Sequence, residues 1–452
     1  MERRLTESLE AWKESRFRKP LILKGVRQCG KTWLLKDFGR RYYQNVAYFN
    51  FDEQPELGDF FTHTKDVRRI LQNLAIAHGS AISPGLTLII FDEIQECNAA
   101  LNSLKYFCEN APEYHIAGAG SLLGIALSKP ASFPVGKVDF LSLFPMTFTE
   151  FLLANGDRNL ADYIRQIDAV QAIPELFHSE LREKLKTYFI TGGMPEAVHS
   201  WVETGDVSAV QGVLTNLLDA YERDFAKHAE KKDYPKLSLI WQSVPSQLAR
   251  ENKKFLYRVV KEGSRAREYE DALQWLTDAE LLFKIYRAEK PGLPISAYDD
   301  LSAFKVFVCD IGLLRRLSRL APSAFMEGNR LFTEFKGALS ENHILQALLP
   351  QLDGSPRYWT DGKNRNEVDF IIQLENDIIP IEVKSSENID SKSLKAYGEL
   401  FAADTKLKVR FSMKNLKLDG NVLNIPLYLA DSASTLIKIC MKPAPASSDR
   451  NT

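Results

Sequence analysis

The chain lacks a long apolar run, a sizeable net charge and any C-x-x-C cysteine pair. No stretch approaches 18 apolar residues without a charge, so no membrane span is expected. Lys and Arg number 58 against 59 Asp and Glu, a formal net charge of −1. That balance excludes a general nucleic-acid binder and an acidic tail protein, so any DNA contact has to come from a local basic patch. The five cysteines (Cys29, Cys97, Cys108, Cys309 and Cys440) include no C-x-x-C pair. Their scatter argues against a disulfide framework or a zinc site and fits a reducing cytoplasm. Met1-Glu2-Arg3-Arg4 opens an amphipathic helix that contains acids, with no signal-peptide core. No internal repeat is visible. At 452 residues, 45% of them hydrophobic, the chain exceeds one core, and roughly two to four folded domains are expected.

What is present begins with a glycine-rich octet. Pro20-Leu21-Ile22-Leu23-Lys24 leads into Gly25-Val26-Arg27-Gln28-Cys29-Gly30-Lys31-Thr32, followed by Trp33-Leu34-Leu35. This is G-x-x-x-x-G-K-T between a strand-like and a helix-like run, the context of a phosphate-binding P-loop. The glycines let backbone N–H groups turn inward, and the new helix adds its positive end. Residues 25 to 33 are therefore the candidate ATP cradle. Lys31 is placed to reach the β- and γ-phosphates, and the Thr32 hydroxyl to bind Mg²⁺. Cys29 is either an oxidation-sensitive thiol at a helix N-terminus or a small spacer.

Strand-like runs recur. Residues 45–51 end in Asp52-Glu53, residues 86–91 in Asp92-Glu93, and residues 114–118 in Ala119-Gly120-Ser121. Alternation with helical patterns predicts a parallel α/β sheet with ligands at the carboxyl ends of its strands. Asp92 is expected to hold Mg²⁺ and Glu93 to act as general base. Ser121 is either a γ-phosphate sensor or the N-cap of a helix at Leu122-Leu123, or both.

Together G-V-R-Q-C-G-K-T, L-I-I-F-D-E-I-Q-E and G-A-G-S-L-L resemble a prokaryotic family of AAA-type ATP-binding proteins. Phe133-Pro134-Val135-Gly136-Lys137, the run Phe140 to Leu152 and Gly192-Gly193-Met194-Pro195-Glu196-Ala197 extend the resemblance. It implies a C-terminal domain of unknown function and assembly as a homo-oligomer. Family members typically carry Arg where this chain has Lys137, which keeps the charge but not the planar fork of an arginine finger.

The middle reads as a helical lid or linker over 161–234 after an ATPase domain over 1–160. Arg223 and Lys227 either touch phosphate or belong to a solvated helix face. Residues 235–330 read as a winged helix: a helix over 237–250 broken or restarted at Pro245, two further helices, then a hairpin. Between Arg250 and Glu268 seven basic residues (Arg250, Lys253, Lys254, Arg258, Lys261, Arg265, Arg267) face three acids. Such a patch can grip DNA phosphates, or serve a protein contact.

A second constellation follows over 331–440. Glu341 sits in a helical run, Asp369 in a strand, and twelve residues intervene before Glu382-x-Lys384 in the next strand. This pattern resembles the signature of the restriction-endonuclease-like fold. Alternation puts Glu382 and Lys384 on one strand face. In such a site Glu341, Asp369 and Glu382 would be metal ligands, and Lys384 would orient water or steady charge. Two readings stay open: an ATPase coupled to a Mg²⁺-dependent nuclease acting on DNA, or a nucleotide switch whose C-terminal domain is a catalytically inert module for an unknown partner. Residues 441–452 read as a disordered tail.

Overall fold

In a computed structural model of the chain, the described residues are 1–121, 136–250, 254–326, 333–362, 365–385 and 391–442. Phe133 to Val135, Glu251, Lys253, the Leu122-Leu123 helix start and the tail from 443 lie outside them. The chain divides into two compact units.

The first comprises residues 1–146, 194–196 and 270–282. Its centre is a sheet of β1 (Leu21–Lys24), β2 (Asn45–Asn50), β3 (Thr87–Asp92), β4 (His115–Ala119) and β5 (Asp139–Ser142), in the order β2-β3-β4-β1-β5. Every neighbouring pair is parallel. The central strands are buried on both faces, as β3 shows by having all six residues in the core. That double burial accounts for the unbroken apolar runs in the sequence. Helices Lys31–Tyr42, Val67–His78 and Asn98–Asn110 supply the crossovers. Ile22, Phe49, Phe91, Leu104 and Phe107 share one apolar cluster. The order puts the ends of β1, β3 and β4 side by side, where the P-loop, Asp92 and Ser121 emerge.

The second unit comprises residues 147–193, 197–269 and 283–452. Its helices include Phe148–Ala154, Glu175–Thr191, Val207–His228 and Tyr234–Leu248. Its sheet contains β6 (Leu282–Ala288), β7 (Asp299–Val308), β8 (Arg357–Thr360), β9 (Glu367–Leu374), β10 (Asp377–Val383), β11 (Lys408–Ser412), β12 (Lys417–Asp419) and β13 (Val422–Pro426). The order is β12-β13-β11-β10-β9-β8-β6-β7. Antiparallel β8–β9–β10 and parallel β10–β11–β13 make it mixed.

Three expectations change here. The hairpin expected as the wing of a separate 235–330 domain is built into the same sheet as the second constellation. Arg357 on β8 pairs with Asp299 at 2.7 Å, and Arg287 on β6 pairs with Asp300 at 2.5 Å, so the hairpin has strand partners and ion pairs that a free wing lacks. Most of the helix Ala266–Asp278 clusters instead with the first unit. The helix Tyr234–Leu248 also runs through Pro245. Apolar burial of Ile240, Trp241, Val244 and Leu248 holds the turn that proline would otherwise interrupt.

Two buried histidines make stability pH-dependent. The His115 ring shares a 2.7 Å hydrogen bond with the Tyr43 hydroxyl, and His343 Nε2 lies 3.0 Å from the Leu427 carbonyl. Burial lowers both pKa values to about 4. The unfolded chain, with histidines near 6.5, then binds more protons between those values, so stability falls as pH drops through that window. Melting temperature should decline from pH 6.5 to pH 4. The His343→Gln variant should show a shallower decline, and an identical slope would refute the assignment.

Candidate functional site

The loop after β1 has the backbone that its glycines permit. Gly25 has φ +149° and Gly30 φ +95°, and a Cβ at Gly25 would stand 2.3 Å from the Leu143 carbonyl oxygen. Gly30 caps the helix Lys31–Tyr42, whose first turn carries no acid. That end presents N–H groups and the positive pole of the helix dipole to an anion. Gln28 also adopts a left-handed φ of 65°, a strain that a non-glycine residue bears only where its surroundings impose it.

Lys31 is buried, and its ammonium donates to the Gly25 and Val26 carbonyls at 2.8 and 3.0 Å. It is thus folded back on its own loop. Arg27 is half-buried, Gln28 is exposed, and Trp33 is largely exposed on the helix. Cys29 is fully buried, and burial raises its thiol pKa. Of the two readings of Cys29, the small spacer is the one that agrees with this environment, because a protonated, enclosed thiol reacts slowly.

Thr32 and Asp92 come from elements far apart in sequence and meet directly. The Thr32 hydroxyl donates to Asp92 Oδ2 at 2.8 Å. The Tyr48 hydroxyl, from β2, donates to the same oxygen at 2.8 Å, and the Lys36 ammonium lies 3.3 Å from the Tyr48 ring centroid. A hydroxyl and a carboxylate oxygen in contact are the donor types that Mg²⁺ takes.

Glu93 follows at φ 47°, again left-handed. Ser121 Oγ donates to its carboxylate at 2.8 Å, the Ser121 N–H at 3.2 Å and Gln95 Nε2 at 2.6 Å. Burial raises the Glu93 pKa, but these bonds and the Lys31 charge outweigh it and hold the group below the usual carboxylate range. Ser121 therefore engages the candidate base, while the helix it would cap lies outside the described residues.

Three residues of this site carried no motif, and a fourth, Gln95, lay in the L-I-I-F-D-E-I-Q-E run without an assigned role. Arg3, buried, donates to the Cys29 carbonyl at 2.9 Å and to the Phe144 carbonyl at 2.5 Å, bracing the loop from behind. Tyr48 and Gln95 hold the two acids. Glu280, at φ 57°, has its pKa raised by burial while the charges of Lys31 and Lys24 pull it down. Only Tyr48 left a signal, since period-2 alternation on β2 sets it on the same face as Asn50, the register partner of Asp92.

Other expected residues have the following surroundings. Lys137, in place of the family arginine, pairs with Glu109 at 2.8 Å on the surface. Arg223 and Lys227 are exposed on the helix Val207–His228 of the second unit.

The second constellation is assembled only in part. Asp369 Oδ2 accepts the Val383 N–H at 2.8 Å. Glu382 is buried and pairs with the Lys384 ammonium at 2.6 Å, so the two do share a face. Glu341 is buried on the helix Thr333–Leu348. Among the described residues no group of three or more His, Cys, Asp or Glu is placed to hold a metal ion.

One family model covers the segment that carries the first site. Residues 17–152 match the family described as AAA domain. Residues 182–324 and 336–429 match two families, each described only as a domain of unknown function. No curated protein matches the chain. Among solved structures, the chain is similar to a Walker-type ATPase of Pyrococcus abyssi, with 14% identity, 69% of this chain and 94% of that one covered, and TM-score 0.44. It is also similar to the Thermotoga maritima RuvB Holliday junction branch migration motor (15%, 62% and 86%, TM-score 0.28) and to the Aeropyrum pernix ORC1 protein in complex with DNA (11%, 72% and 92%, TM-score 0.29). The family match supports an AAA-type P-loop ATPase domain, followed by segments of unassigned function.

Gly25→Ala tests the loop. The added methyl collides with a backbone oxygen that cannot step aside, and strain of this kind costs on the order of 1–3 kcal/mol. Melting should fall by several degrees and ATP binding should be lost. A variant with unchanged melting and unchanged ATP affinity would show that the loop conformation is not the one described.

Proposed function

We propose that the first unit binds ATP with Mg²⁺ and hydrolyses it. The observation that carries this reading is the Thr32–Asp92 contact at 2.8 Å beside the glycine turn, because it unites the two donors such a site needs. Thr32 and Asp92 would hold the ion, which would supply charge neutralisation at the phosphates. Lys31 leaves the Gly25 and Val26 carbonyls and donates to the β- and γ-phosphates. Glu93, ionised at neutral pH, takes a proton from the attacking water, so it must release Ser121, which is then free to face the γ-phosphate. A homo-oligomer in a reducing cytoplasm fits the family resemblance and the five free cysteines, and no described helix is long and apolar enough to cross a membrane.

For the second unit, the reading of a nuclease-like fold that acts as an inert, partner-binding module is favoured over an active nuclease. The observation behind it is that Lys384 and the Val383 N–H engage the acids that catalysis would require. DNA, through the basic run 250–268, is the partner we favour, with gating by nucleotide state.

Calorimetry with ATP and Mg²⁺ should show binding by the wild type and none by Lys31→Ala. Glu93→Gln should bind ATP yet hydrolyse it about a hundredfold or more slowly, the scale of a lost general base. Absence of binding by folded wild type would overturn the reading. Mg²⁺- or Mn²⁺-dependent cutting of DNA that is lost in Lys384→Ala would restore the nuclease reading.

A further inference from the structure

The turn before β1 carries an aromatic side chain that the fold leaves in water. Phe17 is 88% exposed, more than any other large apolar side chain among the described residues. Its neighbours are basic. Within Lys13-Glu14-Ser15-Arg16-Phe17-Arg18-Lys19 four cations stand against one acid, in a chain whose charges otherwise nearly cancel. Lys13 answers that acid, Glu14, at 3.2 Å. Arg16 is exposed, and among the described residues no carboxylate pairs with it.

A lone apolar side chain at a surface is ordinary. This one is held out by a braced backbone. The indole of the buried Trp12, near the end of the helix Leu5–Glu14, donates to the Lys19 carbonyl at 2.9 Å and closes the segment between that helix and β1. The Lys19 N–H donates to Asp139 Oδ2 at 3.0 Å. Inside the turn, the Arg18 N–H donates to the Ser15 carbonyl and the Phe17 N–H to Ser15 Oγ, both at 3.3 Å. The Arg18 guanidinium then fastens the base of the turn to the Lys13 carbonyl at 2.9 Å and the Pro112 carbonyl at 3.1 Å. The backbone under the ring therefore has little conformational freedom left to lose when something binds.

A fitting partner offers a flat apolar face to the ring and negative charge to the guanidinium beside it. Unpaired nucleic acid offers both along one strand, base faces for stacking and phosphates for Arg16. In a duplex the base faces already cover one another. A protein partner would need an apolar patch to fill, and here Glu14, Ser15 and Arg16 next to the ring are exposed polar residues. We propose that the 15–19 turn is a contact site for single-stranded nucleic acid, with Phe17 stacking on a base and Arg16 holding a neighbouring phosphate. The site belongs to the first unit, whereas the basic run 250–268 belongs to the second, and it stands whether or not the glycine loop binds ATP.

The test uses the full chain without nucleotide and three fluorescent probes of equal length, read by anisotropy: an oligothymidylate, an abasic strand and a duplex. Wild type should bind the oligothymidylate more tightly than the abasic strand. Phe17→Ala should lose about tenfold in affinity for the oligothymidylate, the scale of one stacked base, and nothing for the abasic strand or the duplex. Phe17→Trp should keep the preference. Arg16→Ala should weaken both single strands and lessen their salt slope by about 0.7. Both side chains are exposed, so melting should match wild type in every variant, which checks that each is folded. The proposal is overturned if folded wild type does not bind the oligothymidylate at low salt, if Phe17→Ala leaves the ratio between the two single strands unchanged, or if it weakens the duplex as much. Loss of self-association in Phe17→Ala at unchanged strand affinities also overturns it, and assigns the turn to a protein contact.

Discussion

Two consecutive carboxylates at the carboxyl end of β3, Asp92 and Glu93, are held by donors converging from three other segments, and the candidate site of the first unit depends on that convergence. Asp92 ends a strand that is buried throughout, so its hydrogen bonds come from groups brought to it. Thr32 and Tyr48 converge on one of its oxygens. Glu93 turns away through a left-handed backbone and is met by Ser121 and Gln95. The sheet order puts β4 between β1 and β3, which is why Ser121 reaches Glu93 and why the helix after β1 can reach Asp92.

The second unit meets the same electrostatic difficulty by another route. Asp369 and Glu382 lie on strands and Glu341 on a helix, and Lys305 and Lys384 pair with Glu367 and Glu382. The two units thus place similar residue types in similar strand-end positions with different consequences, and motif spacing alone does not distinguish them.

The P-loop was legible because its physics is local. A turn of left-handed glycines, a lysine, a hydroxyl and a helix start must be consecutive in the chain. The Asp-x-x…Glu-x-Lys hairpin was legible as strands for the same reason, and Glu382 and Lys384 do share a face. The domain limits were less so. The apparent wing of residues 282–308 has the pattern of any hairpin, and only its partner β8 and the pairs Arg357–Asp299 and Arg287–Asp300 show which sheet it belongs to. The helix at Pro245 was misjudged because proline's local cost is visible in sequence while the apolar burial that offsets it is not.

From residue order came the strand–loop–helix of the nucleotide site, the apolar runs of a doubly covered sheet and the assignment of Lys31, Thr32, Asp92 and Glu93 to one chemistry. These follow from backbone geometry and periodicity, which act over a few residues. Tertiary structure alone brought Arg3 to the Cys29 carbonyl, Tyr48 to Asp92 and Lys305 to Glu367, and it enclosed the Cys29 thiol. The reason is that charge, hydrogen bonding and burial act through space, between groups separated by anything from a few to more than a hundred residues, and no spacing rule encodes them.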